Sequence, residues 1–381
     1  MKVEQNHLTA EKGFSISSAN LGDSANLVLY FGGREALENG GVFHTLKRTY
    51  PNSILVGCST GGEIAEDDVH ENTAVSLAIQ FEKTDVRTAS YHLNSASESF
   101  KAGEILGKKL KDIGLKAIFV LSDGLHVNGS SLVEGLISIV GKAIPITGGL
   151  AGDGSSFSQT VVGLDAVPSS KQIVAVGFYG DHIRFGHGSQ GGWEPFGHER
   201  TITRSDGNVL FELDGKPALE IYKSYLGKLA GELPSSALLF PITVNAPDKP
   251  DVSVVRTILS IDEDKQSMTF AGDVPEGYKA QLMRGTSKHL VQGASDAARC
   301  AKNYINATHD SVAIMISCIG RKLMMGPRIT DEVDAVSDVL GKFPCCKAGF
   351  FSYGEISPHS HSGVAELHNQ TMTITTFTEE N

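Results

Sequence analysis

Four apolar runs in this chain end the same way, in a glycine followed by a carboxylate, and that recurrence limits what the chain can fold into. The first is Val56-Gly57-Cys58-Ser59-Thr60-Gly61-Gly62-Glu63-Ile64 and the last is Ala348-Gly349-Phe350-Phe351-Ser352-Tyr353-Gly354-Glu355-Ile356. Between them lie Ala151-Gly152-Asp153 and Ala271-Gly272-Asp273. Glycine lets the backbone take φ > 0 or approach a neighbour closely. A carboxylate beside such a turn can accept backbone N–H bonds or face a ligand. The pattern predicts one unit present in several copies, with function arising where the copies meet.

The segments around the corners support this. A short apolar run over 26–30 reads as a buried strand, followed by a helix over 36–46 and a second strand over 53–56 that feeds the first corner. Strands over 73–81 and 87–92 follow. The order recurs with a strand over 116–121, a helix over 130–140, a strand over 144–147 and the Gly152 corner. It recurs again with a strand over 311–316, a helix over 332–340 and a strand over 347–351. The predicted class is α/β, in two domains built from repeated strand-helix-strand-turn-strand units with mixed sheets. Residues 1–24 read as an N-terminal arm with a strand near 14–16, residues 25–206 as an N-terminal domain and residues 207–381 as a C-terminal domain. The glycine-dense stretch over 182–207, which holds the single Trp, Trp193, reads as the passage between them.

With 381 residues, two domains are the default. The net charge is −11 and basic residues nowhere cluster, so nucleic acid is not an expected partner. No run reaches the roughly 18 apolar residues of a membrane span, and the first 24 residues lack a signal-peptide core, so membrane insertion is not expected and the expected location is cytoplasmic. Five cysteines without a CxxC pair read as free thiols; the adjacent Cys345 and Cys346 leave a redox or metal role open.

Gly57-Cys58-Ser59-Thr60-Gly61 fits the G-x-S-x-G nucleophile elbow, which makes a serine or cysteine hydrolase at Ser59 or Cys58 one alternative. The repeat argues against it, because the last copy puts Phe351 opposite Ser59. Cys58 has no basic neighbour in sequence to lower its pKa. The corner residues Thr60, Glu63, Asp153, Ser352 and Glu355 are the candidate ligand pocket. Their hydroxyls and carboxylates suit a small polar metabolite such as an amino acid, or serve only to satisfy the turns.

Taken together, the Gly57–Ile64 stretch, Asp123-Gly124 with Asn128-Gly129, Gly148-Gly149-Leu150-Ala151-Gly152-Asp153, the Gly349–Ile356 stretch and His368-Asn369-Gln370-Thr371 resemble the FIST sensory-domain family, N-terminal and C-terminal parts together. The resemblance runs from about Asn26 to the C-terminus and implies a signal-input protein for small ligands with no enzymatic activity. The chain is also similar to a stand-alone subgroup that binds haem, senses nitric oxide and regulates a partner histidine kinase or other two-component protein; a homodimer is left open. Haem b would be non-covalent, since no Cys-x-x-Cys-His exists. Its expected metal ligand is His187, flanked by Gly186 and Gly188, with Trp193 and Phe196 as apolar walls. His198, His359, His361 and His368 are the other candidates, His368 speaking more for the fold.

Overall fold

Along Leu27–Gly33, Leu27, Leu29 and Phe31 enter one core while Val28 and Tyr30 enter another. Side chains alternate sides along a strand, so this sheet is buried on both faces. The same split recurs in Leu115–Ser122 and Ser311–Cys318, where Phe119 and Ile314 join the first core and Val120 and Met315 a third. The computed structural model describes residues 1–16, 19–248, 253–305, 309–341, 343–359 and 362–380.

Each of these strands pairs in parallel with the strand that leads into a corner: Ile54–Thr60, Ile146–Leu150 and Cys345–Ser352. Three repeats follow, and after its corner each one lends strand to another repeat's sheet. Glu63–Ala65 and Asp68–His70 of repeat one extend the sheet of repeat three. Gly354–Pro358 and Ala365–His368 of repeat three extend that of repeat two, and Val162–Leu164 of repeat two completes that of repeat one. The exchange closes in a cycle. The inward faces of the three sheets share one core, where Phe31 and Phe350 stack at 4.8 Å. Helices cover the outward faces: Gly41–Thr49 on the first, Ser99–Leu110 with Gly129–Val140 on the second, Ser287–Ala301 with Thr330–Leu340 on the third. Burying each large aliphatic or aromatic side chain contributes roughly 1.5–3 kcal/mol, and here one core draws that from all three repeats at once.

Between repeats two and three lies a β-rich body with its own core around Ile202, Leu219, Tyr222, Phe270 and Leu282. Its eight-stranded sheet includes Glu194–Asp206, Val209–Leu213 and Lys279–Arg284, and the helix Ala218–Leu226 follows Pro217, a proline where it costs no hydrogen bond. The architecture is mixed α/β.

Several sequence expectations change here. The arm's strand is Lys2–Leu8, which pairs along its length with Ala74–Gln80. The stretch over 182–207 is built as two strands, Ile183–Gln190 in the sheet of repeat three and Glu194–Asp206 in the β-rich body. A boundary at residue 207 divides the sequence, but the sheets cross it, since Glu63–Ala65 pairs with Cys345–Ser352.

Candidate functional site

Three of the four corners meet. The Gly61 amide donates to the Phe351 carbonyl at 2.7 Å, and the Phe351 amide returns a bond to the Gly62 carbonyl at 2.9 Å. The Gly152 amide donates to the Ser59 carbonyl at 2.9 Å and the Tyr353 amide to the Leu150 carbonyl at 3.2 Å. Glycine is required at two of these points. A Cβ on Gly152 would stand 3.0 Å from the Gly61 nitrogen and 3.2 Å from the Phe351 oxygen, and Gly62 has φ +134°. The fourth corner lies apart. Gly272 and Asp273 end an antiparallel strand of the β-rich body, where Asp273 accepts from Asn128 Nδ2 at 2.9 Å. Asn128 caps the helix Gly129–Val140, so this corner fastens the inserted body to repeat two.

The corner acids of repeats one and three are held identically. Glu63 accepts from the Thr60 hydroxyl at 2.5 Å and from the amide and hydroxyl of Thr73 at 3.0 and 2.8 Å. Glu355 accepts from the Ser352 hydroxyl at 2.6 Å and from the amide and hydroxyl of Thr371 at 3.2 and 2.9 Å. Neither acid is exposed. Burial raises Glu63 above the ordinary carboxylate range and pushes Glu355 up to about 8, against the opposing pull of those hydrogen bonds. Asp153 goes the other way. Burial acts upward on it too, but bonds from the Tyr353 hydroxyl, the Gln159 amide and both groups of Ser158 outweigh that and lower it. These carboxylates brace the turns.

Beside the junction opens a cleft of about 270 Å³. Repeat one supplies Arg34, Thr60, Glu63 and Asn72, repeat two supplies Asp153, Ser155 and Ser156, and repeat three supplies Ile319, Lys322 and Leu323. Lys322, largely buried, donates to the Gly61 carbonyl at 2.6 Å, pairs with Glu71 at 2.8 Å and lies 5.3 Å above the Phe351 ring. It comes from a short helix, Ile319–Met325, that sequence reasoning did not predict. Next to it Arg321, fully buried, pairs with Glu332 at 2.8 Å and donates to the Leu290, Gln370 and Gly191 carbonyls. Of the five expected pocket residues, Thr60, Glu63 and Asp153 line this cleft, whereas Ser352 and Glu355 are buried behind it.

The residues around His187 do not fit a haem. The strand Ile183–Gln190 turns Gly188 toward the helix Ser287–Ala301 so closely that a Cβ there would be 2.0 Å from the Ala297 carbonyl oxygen. The glycine serves helix packing rather than an open slot. Phe185, on the same side of the strand as His187, packs against Phe178 and Phe377. The expected walls diverge: the Trp193 indole donates to the Gln370 carbonyl at 2.8 Å, and Phe196 meets Tyr225 within the β-rich body. His187 itself is half-buried and its pKa is lowered by burial. His198 is exposed in the β-rich body. His359 and His368 stack at 6.0 Å and bond the Ser253 and Ser357 carbonyls, beside a cleft of about 210 Å³ that is too small for a porphyrin. His361 lies outside the described residues. Among those residues no three His, Cys, Asp or Glu side chains group to hold a metal.

The elbow reading fares no better. Ser59 and Cys58 are inaccessible; Ser59 Oγ accepts from the Val161 amide at 3.0 Å, and burial raises the Cys58 thiol well above its usual range. No helix follows the corner, only the hairpin lent to repeat three. Cys345 and Cys346 fall on opposite faces of their strand, one against each core, with thiols pushed up by burial to about 12 and about 11.

The fold is thus a cycle of three strand-exchanging α/β repeats with an inserted β-rich body and a polar cleft at the meeting of their corners. The FIST N domain profile matches residues 26–216 and the FIST C domain profile residues 218–358, so the chain belongs to the FIST family, whose domains are signal-transduction sensor domains. It is 24% identical over 355 residues to uncharacterized protein MJ1623 of Methanocaldococcus jannaschii, covering 82% of this chain and 66% of that one. It is 25% identical over 349 residues to uncharacterized protein Rv0628c of Mycobacterium tuberculosis, covering 86% and 84%. The match to uncharacterized protein Mb0898c of Mycobacterium bovis, 27% identical, spans 50% of this chain and about half, 49%, of that relative's length. Among solved structures, a chorismatase shares 9% identity over 99% of this chain and 98% of its own at a TM-score of 0.36, a likeness too weak to bear on function. No helix among the described residues is long and apolar enough to cross a membrane.

Proposed function

We propose that this chain is a non-catalytic sensor that takes a small polar metabolite, such as an amino acid, into the cleft where the three repeats meet. The observation that supports it is the 270 Å³ cleft itself, walled by all three repeats at their corners. Glu63 and Asp153 fix the shape of the walls. Asn72, Glu35 and the hydroxyls of Ser155 and Ser156 face the ligand beside Lys322 and Arg34, whose ammonium and guanidinium have further N–H donors beyond their pairs with Glu71 and Glu38. A zwitterion matches that mixture of signs. Because the ligand sits between repeats, its binding favours one relative placement of the corners, and a partner signalling protein in the cytoplasm, such as a histidine kinase, reads that placement. The shift cannot exceed the ligand's difference in affinity between the two placements.

Haem and nitric oxide have no part in this reading, because Trp193 and Phe196, the expected walls, are engaged elsewhere and Gly188 is taken up by helix packing; a Soret band in protein purified from haem-fed cells would revive them. The direct test is thermal unfolding across an amino-acid panel. A ligand at 100 times its Kd adds about 2.7 kcal/mol, and Lys322→Met should reduce that gain. If no member of the panel raises the midpoint at millimolar concentration, the reading fails.

A further inference from the structure

The polar cleft has a neighbour of opposite character. A chamber of about 510 Å³ adjoins it, and the two share Ser155, Ile319 and Leu323 as walls. The cleft's lining is mostly charged and hydroxylic; the chamber's is mostly aliphatic and aromatic, with Phe157 stacked on Tyr353 at 4.5 Å along one side. Six large apolar side chains are exposed among the described residues, and four of them (Phe157, Leu239, Leu259 and Leu323) line this one chamber. Scattered singly, exposed apolar residues need no explanation, but four gathered on one concavity mark a place where apolar surface is to be covered. The volume lies within the range of small-molecule sites. Its far wall, including Leu239 and Leu259, belongs to the inserted β-rich body, so the chamber also spans the seam between that body and the repeats.

We infer that the ligand is an amphiphile: a zwitterionic or carboxylate head held in the cleft by Lys322 and its neighbours, and an apolar tail several carbons long laid past Leu323 into the chamber. This rests on the cleft being the ligand site. It excludes the smallest polar metabolites as the preferred ligand, because they would leave the chamber's apolar walls in water. The tail is the part that selects. Each methylene moved from water into such walls strengthens binding about fourfold, the equivalent of ~0.8 kcal/mol at room temperature.

The test is titration calorimetry of the intact protein with a straight-chain series of 2-amino acids: alanine, norvaline, norleucine and 2-aminooctanoic acid. We expect affinity to climb about fourfold per added methylene until the chamber is filled. Leu259→Ser and Leu239→Ser alter exposed positions, so the fold is retained, and each should flatten the climb while leaving alanine's affinity unchanged. Equal affinity along the series would overturn the inference while leaving the cleft as a site for small polar ligands. Absence of binding by every member overturns both. If octylamine or octanol binds as tightly as 2-aminooctanoic acid, and Lys322→Met changes none of the affinities, the chamber works without the cleft and the two-part ligand is refuted.

Discussion

Glu355→Gln offers a test of the corner that can be worked through from the structure. Glu355 is fully buried and pushed up to about 8 by loss of solvent, so near neutral pH its carboxyl is protonated in the folded state and ionised in the unfolded one. A raised carboxyl contributes stability that is complete below its unfolded pKa and disappears as pH rises through the folded value. His368 works in the opposite sense: burial depresses it to about 3, so its contribution is present above about 6.5 and is lost as pH falls. The two slopes oppose each other between about pH 4.5 and 6.5, and of the two only that of Glu355 remains from about 6.5 to 8. One proton over that window amounts to about 2 kcal/mol lost by the wild type. Glutamine keeps the acceptor for Thr371 and cannot ionise, so the variant should lose little of it. Glu63 is raised for the same reason, and its share cancels when variant and wild type are compared at each pH. Urea unfolding followed by circular dichroism at pH 5.5, 6.5, 7.5 and 8.5 measures the difference. The share of His368 cancels in the same way, so the difference should shift steadily in favour of the variant, by about 1.4 kcal/mol per pH unit from pH 5.5 to about 8 and roughly 3.4 kcal/mol in all. Parallel curves over the whole range would refute the reasoning.

Other substitutions probe other joints. Gly152→Ala places a methyl 3.0 Å from the Gly61 amide nitrogen, and a cost of about 1–3 kcal/mol is expected in urea unfolding. Arg321→Leu strands the buried Glu332 and should cost about 3–5 kcal/mol, with much of the loss recovered when Glu332→Leu is added; a single variant as stable as the double would show that the pair is not coupled. Ser59→Ala should leave labelling by a fluorophosphonate probe unchanged at background, because the wild-type hydroxyl is buried and bonded to Val161.

Much of the fold was readable in the chain because each repeat carries its own period. The short apolar run that starts Leu27–Gly33 and the Gly-Glu-Ile endings mark strand, corner and repeat together, and all three strand pairs fall near where apolar runs place them. The fourth corner misled because Gly-Asp is a short signal. What separates Gly272 from Gly152 is the parallel strand pair behind the latter, and pairing is not written in a dipeptide. Gly188, beside His187, looked like space and proves to be contact: only the helix Ser287–Ala301, about 100 residues away in sequence, decides which. At the site, Thr60, Glu63 and Asp153 could be found from the corners, but Lys322 and Leu323 could not, since a seven-residue helix is too short to show a period. One signal was present. Cys318 stands opposite Ser352 in the parallel pair, so the residues that follow it must emerge beside the corner.

Ligand density would judge the account most directly. A crystal of the protein soaked with the amino acid that stabilises it best should show the head group between Lys322 and the Ser155 loop, within reach of corners from all three repeats. Density bound instead beside Trp193, or on the outer face of the β-rich body, with the junction of the corners filled by water, would contradict the claim that the repeats meet in order to hold a ligand.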